Sequence, residues 1–170
     1  MKRGDGVILT RDVLVTIIPQ GEAILLFAGT LVRIMQALGG THTIEFNNQW
    51  LMVHEEDADA VGVIVASEDI PQGTLMEQIW TSLRNCYDPE IPVNIVDLGL
   101  IYEVNLNDNI LHIVMTLTAT GCGMGPVIVQ EIERKMRRLK IQDVKIEVVF
   151  DPPWSQELFS DEAKLILGLL

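Results

Sequence analysis

A change of hydrophobic period near residue 75 constrains this chain more than any other feature. Before it, short apolar runs at 13–18, 23–27, 31–35, 41–46 and 50–53 alternate with turn signals such as Pro19-Gln20-Gly21, Gly39-Gly40 and Asn47-Asn48. Runs of that length, separated by residues that accept tight reversals, read as strands of a small all-β module. Around Asn47-Asn48, Ile44 and Phe46 share one face and Trp50 and Met52 share another, the period-two pattern of a half-buried hairpin. Residues 57–61 supply one helical turn to close the module. After the change, Leu75, Ile79, Leu83 and Tyr87 recur at helical spacing, Met76 and Trp80 widen the stripe, and Cys86 falls within it. Asp88-Pro89 ends that helix, because proline disfavours a helical residue before it.

Two strands at 100–106 and 110–117 follow, joined by Asn107-Asp108-Asn109. Next come a helix carrying Ile128, Ile132, Met136 and Leu139, a third strand alternating Val144, Ile146, Val148 and Phe150, and a terminal helix over 161–169. That order argues an α+β fold: a C-terminal two-layer sandwich with a small, mostly antiparallel sheet, preceded by the β module. The expected division is a β-rich domain at 1–66, a linker at 67–74 and an α+β domain at 75–170.

Twelve Lys and Arg against 24 Asp and Glu leave a formal charge of −12, which opposes binding to nucleic acid and to anionic membranes. The one basic cluster, Arg134, Lys135, Arg137, Arg138 and Lys140, shares its helix with Glu131 and Glu133 and reads as a solvated face. No apolar run is long enough to cross a bilayer. Two cysteines without paired spacing form neither a zinc knuckle nor a disulfide framework, so a cytoplasmic, reducing location is expected.

Cys122 is the residue to explain. It stands among Gly121, Gly123 and Gly125, where the apolar strand and Thr118 give way to a helix. A helix N-terminus favours thiolate over thiol, and glycines let backbone amides approach whatever the sulfur holds. A packing cysteine needs no permissive backbone on both sides, whereas Cys86 is explained by the core alone. Asp88-Pro89-Glu90-Ile91-Pro92 offers two carboxylates on stiff backbone, either solvated acids of a turn or oxygen ligands beside Cys122. Asp151-Pro152-Pro153-Trp154 suits a packing clamp, and His42, His54 and His112 form no triad-like pattern. Phosphate-binding, nucleophile-elbow and zinc-helix motifs are absent from the sequence, and a thiolate with no adjacent base is poor material for nucleophilic catalysis.

Three blocks in order resemble the small iron–sulfur assembly domain family: Asp88 to Pro92 running into Val96-Asp97-Leu98-Gly99-Leu100-Ile101, then Met115-Thr116-Leu117-Thr118 to Cys122, then Asp151-Pro152-Pro153-Trp154. The form Gly121-Cys122-Gly123-Met124-Gly125 is similar to the two-domain SufT-type branch, whose β-rich extension also resembles Arg11-Asp12-Val13, Ile18-Pro19-Gln20-Gly21, Gly39-Gly40-Thr41 and Asp57-Ala58-Asp59-Ala60. The resemblance implies an α+β sandwich and a non-enzymatic accessory role in maturing iron–sulfur proteins. Its partners would be the assembly machinery and apo-target proteins. Cys122 would be the cluster ligand, with Gly121, Gly123, Thr118, Asp88 and Glu90 around it. Iron–sulfur clusters take four protein thiolates, so a cluster here would be shared between subunits of a homo-oligomer, completed by a small thiol, or held briefly during transfer. Two other classes stay open at this point: a thiol-dependent enzyme using Cys122 with Asp88 or Glu90, and an adaptor that docks the machinery through Trp154 and the β module.

Overall fold

The structure is a computed structural model and describes residues 4–63, 70–121 and 123–169. It divides into two compact units between residues 69 and 70. Part of the expected linker, 67–69, lies outside the described residues, as does Cys122.

The first unit is one antiparallel sheet. Its strands are β1 (Gly6–Ile8), β2 (Val13–Ile18), β3 (Ala23–Leu26), β4 (Leu31–Leu38), β5 (Thr41–Phe46) and β6 (Gln49–Val53), in the order β1-β4-β5-β6-β2-β3. The β5–β6 turn places Asn47 and Asn48 at φ 54° and 60°, the left-handed pair that matches the twist of a two-residue hairpin. Alternation sends Val13, Val15, Leu26, Val32, Ile34, Ile44, Leu51 and Val53 into one core. A 3-10 helix, Glu55–Val61, follows β6 and adds Ala60 and Val61 to that core. β1 has too few residues to show a period, and it is held by pairing with β4.

The second unit has helices α1 (Leu75–Arg84), α2 (Gly125–Arg137) and α3 (Asp161–Ile166), and strands β7 (Ile101–Asn107), β8 (Ile110–Met115) and β9 (Asp143–Val148). Thr74 caps α1: its hydroxyl accepts from the Glu77 N–H at 3.4 Å while the Glu77 carboxylate accepts from the Thr74 N–H at 2.7 Å. β7 and β8 form an antiparallel hairpin through Asp108 and Asn109, at φ 49° and 62°, and β9 lies parallel to β8. A parallel neighbour needs a crossover, and α2 supplies it, laying Ile128, Ile132 and Met136 on Leu111, Ile113 and Met115. Helices packed over a small sheet make this the expected α+β sandwich, with the parallel β8–β9 pair making the sheet mixed rather than mostly antiparallel.

Three local expectations are corrected. Helix α1 stops at Arg84, so Cys86 is not helical; residues 86–88 run back along 93–95 through Ile95 N–H to Cys86 O (2.9 Å) and Asp88 N–H to Val93 O (3.2 Å). Those backbone pairs replace the helical bonds that Asp88-Pro89 denies. The charged face of α2 is not wholly solvated either. Lys135 and Glu131 are buried, with Nζ 3.7 Å from Oε1, and Arg134 bonds the same carboxylate. The i,i+4 spacing pairs opposite charges, which lowers the cost of taking them out of water. The terminal helix is also shorter than expected, ending at Ile166 before a turn at Gly168, φ 69°.

Candidate functional site

Three loops leave one end of the C-terminal sheet. β7 begins there, and β8 and β9 both end there because they are parallel. The segment 116–121 leaves β8, 149–154 leaves β9, and 98–100 enters β7. Backbone bonds tie them together: Thr116 N–H to Leu100 O (2.8 Å) and Val149 N–H to Met115 O (2.8 Å). Side chains complete the frame. Trp154 Nε1–H donates to Leu98 O (2.8 Å), Tyr102 O–H donates to Pro152 O (2.8 Å), and the Trp154 and Phe159 rings meet edge to face at 5.5 Å. Trp154 therefore acts as a packing clamp between two of the three sequence blocks. Gly99 sits under this clamp at φ 69°, and a Cβ there would lie 2.5 Å from Leu158 O.

The acidic loop joins the same frame through Leu100, whose N–H donates to Ile95 O (3.0 Å), next to the ladder that holds residues 86–88. Its two carboxylates have different fates. Asp88 is buried, and its Oδ1 accepts the Glu90 N–H at 2.8 Å and the Ile91 N–H at 3.0 Å. This closes an Asx-type turn, so that oxygen is committed to shaping the loop. Burial raises the Asp88 pKa despite those two donors. Glu90 is exposed, and among the described residues its side chain makes no hydrogen bond; partial desolvation, then the neighbouring Asp88, raises its pKa. Of the two acids, Glu90 is the exposed one.

On the cysteine segment, Thr118 is half-buried in a bend, Gly121 is exposed at φ 80° with open space where a Cβ would be, and Gly123 is half-buried in a turn. Among the described residues no hydrogen bond or ion pair joins Asp88 or Glu90 to Thr118, Gly121 or Gly123. Helix α2 opens at Gly125 with Pro126 in its first turn and no side-chain cap, so its first amides lack intrahelical partners. Cys86 is buried with Sγ 3.5 Å from Ser82 O, inside the hydrophobic cluster. No group of three or more His, Cys, Asp or Glu that could hold a metal occurs among the described residues.

Sequence reasoning missed two parts of this frame. Asn94 Oδ1 accepts the N–H groups of Val96 and Asp97 (3.1 and 2.9 Å), and its amide donates to the Asp97 carboxylate. Asn-x-x-Asp spacing is the local signal for such a turn. Thr116 carries a fully buried hydroxyl with no hydrogen-bond partner among the described residues, at the base of the cysteine segment; nothing local distinguishes it from Thr118. The three histidines do not converge: His42 is buried on β5, His54 contacts Thr16 Oγ1 at 3.1 Å, and His112 lies 3.5 Å from Glu147 across β8 and β9.

Residues 76–148 match the model of a family described as iron–sulfur cluster assembly protein. The chain is 40% identical over 97 residues to the Fe-S protein maturation auxiliary factor YitW of Bacillus subtilis, covering 56% of this chain and 95% of that protein. It is also 40% identical over 84 residues to the Fe-S protein maturation auxiliary factor SufT of Staphylococcus aureus, covering 48% of this chain and 96% of that protein. A crystal structure of a domain of unknown function from Bacillus anthracis superposes with a TM-score of 0.53 at 34% identity, over 56% of this chain and 93% of that one.

Proposed function

The chain belongs to the iron–sulfur cluster assembly protein family, and from that premise we propose that it is a SufT-type accessory factor whose cargo is an iron–sulfur cluster bound for apo-proteins. One observation carries the reading: 40% identity extends over nearly the full length of relatives named as maturation auxiliary factors. The geometry supports it, since the three blocks that resemble the family meet at one end of the β7-β8-β9 sheet. In this reading Cys122 gives the cargo its sulfur ligand. The N-terminus of α2, three residues downstream, favours the thiolate form, and Glu90 stands as a candidate oxygen ligand while Asp88 shapes its loop.

Protein clusters are held by four ligands, mostly thiolates, and this chain has two cysteines, of which Cys86 is committed to the core. The cluster is therefore in transit, its remaining ligands coming from donor, acceptor, a small thiol or a second copy. Such a protein turns nothing over by itself; it works in the cytoplasm by moving a group between assembly machinery and target. The C-terminal domain carries this role and the β module is a separate domain joined by a short linker. Deleting the protein under iron limitation should lower the activity of a cluster-dependent dehydratase while its polypeptide stays abundant. The wild type should restore activity and Cys122→Ser should not, because serine lacks the soft donor iron prefers. Equal activity in all three backgrounds would refute the maturation role.

A further inference from the structure

The C-terminal sheet ends in two edge strands of different quality. β7, at one edge, is interrupted by a bulge between Ile101 and Glu103, a feature that twists an edge away from partners. β9, at the other, pairs with β8 in unbroken register from Asp143 to Val148, and among the described residues no strand lies on its other side. One bond fixes which of its backbone groups face that free side. Val149 N–H donates to Met115 O (2.8 Å), so the odd-numbered residues turn their backbone groups toward β8, while Val144, Ile146 and Val148 turn theirs outward. Val144 N–H is met locally by Asp143 Oδ1 at 2.9 Å; among the described residues the outward N–H groups of Ile146 and Val148 have no partner. The side chains of the same three residues pack half-buried against the core, while Asp143, Lys145 and Glu147 stand exposed on the opposite face.

We propose that β9 is a self-association edge, on which β9 of a second copy lies antiparallel across a two-fold axis at Ile146. The order of charges along the strand selects this partner and this register. With Ile146 opposite Ile146, Val144 lies opposite Val148, so the outward backbone groups of both strands meet as hydrogen-bonded pairs. Lys145 then lies opposite Glu147 of the second copy, and the symmetry makes that pair twice. Moving the axis to Lys145 sets Lys145 against Lys145 and Asp143 against Glu147; moving it to Glu147 sets that acid against itself. An axis at Val144 pairs Asp143 with Lys145 but overlaps only residues 143–145 of each strand. Both charges of the favoured pair are available. Lys145 makes no ion pair among the described residues, and Glu147, 60% exposed, meets only the His112 ring at 3.5 Å. The same register gives an exposed aromatic a place. Phe150, 43% exposed, falls opposite Gln142 of the second copy, which lines a cleft with Glu133, Arg137 and Ile141 at the start of β9. Two three-stranded sheets become one of six strands, an ordinary size. Because the paired strands are antiparallel, the two loop clusters emerge at opposite ends, about 20 Å apart along the strands. A cluster held at one of them therefore takes no ligand from the other.

Sedimentation equilibrium of the full chain at micromolar concentration tests this. The expected result is the mass of two chains for the wild type and of one chain for Lys145→Glu and for Glu147→Lys, each with unchanged circular dichroism. Mixing the two variants in equal amounts should restore the mass of two chains, because opposite charges then face each other at both pairs. Should either variant lose its fold, hydrogen exchange of the wild type decides: the amides of Ile146 and Val148 should exchange more slowly as protein concentration rises. A wild type that stays monomeric through the concentration range overturns the proposal, as does exchange at those amides that ignores concentration. A dimer that persists in either folded variant overturns it equally, because the contact then lies elsewhere, and so does a mixture that stays at the mass of one chain.

Discussion

The two units are made from similar parts and differ in where their loops go. Both rest on hairpins turned by asparagine or aspartate at positive φ, and both bury one alternating face. In the N-terminal unit every strand pair is antiparallel, so its turns are distributed between the two ends of the sheet. In the C-terminal unit α2 returns the chain to make β9 parallel to β8, and the loops after both strands emerge together beside the start of β7. One parallel pair is enough to gather three sequence-distant segments, the general reason ligands collect at the carboxyl ends of parallel strands. The result is one unit with turns at both ends of its sheet and another with a built loop cluster.

The sharpest way to break that contrast is to attack the clamp. Gly99→Ala forces a Cβ to within 2.5 Å of the Leu158 carbonyl at a left-handed φ and should cost roughly 2–4 kcal/mol, localised to the C-terminal unit by hydrogen exchange. A next-smaller effect is expected at the acidic loop. Asp88→Ala leaves the Glu90 and Ile91 amides without their acceptor and should cost about 1–3 kcal/mol in denaturant unfolding, whereas Asp88→Asn keeps the acceptor and should cost little. Gly121→Ala meets only the backbone penalty, about 1–2 kcal/mol, because no atom lies within 4 Å of the added Cβ. Its thermal shift should therefore be smaller than that of Gly99→Ala.

Acid separates the units by sign. Burial lowers the pKa of His42 in the first unit and raises that of Asp88 in the second, each favouring its neutral form. The unfolded chain binds more protons than folded His42 as pH falls below the ordinary histidine value, so acidification through that range destabilises the N-terminal unit. Folded Asp88 keeps its proton to higher pH than the unfolded chain does. Stability is therefore lost as pH rises from the ordinary aspartate value through the raised one, and recovered on acidification. Hydrogen exchange across that range should show opposite slopes in the two units, flattened by His42→Gln in the first and Asp88→Asn in the second. Parallel slopes that ignore both substitutions would remove this distinction.

How much of this was legible in the sequence follows the same division. Period-two runs and Asn47-Asn48 announce the hairpins of the first unit because their determinants are local. The helix stripes of the second were equally plain. Helix α1 was read too long because Cys86 and Tyr87 keep the helical spacing, while the bonds that hold them come from Val93 to Ile95, a pairing no local pattern reveals. Lys135 was read as solvated because charge alone does not report what packs over it. The resemblance blocks name segments that the fold brings to one end of a sheet, but that Trp154 reaches Leu98 and that Asp88 is spent on its own loop are tertiary facts.

We propose that one sulfur, Cys122, handles a cluster that belongs to another protein. The most direct test is anaerobic activation of an apo-dehydratase by a cluster-loaded scaffold, with the chain added in substoichiometric amount. Wild type and Cys86→Ser, if folded, should accelerate activation, while Cys122→Ser should leave the rate at that of the scaffold alone. Acceleration by Cys122→Ser equal to the wild type would contradict the account.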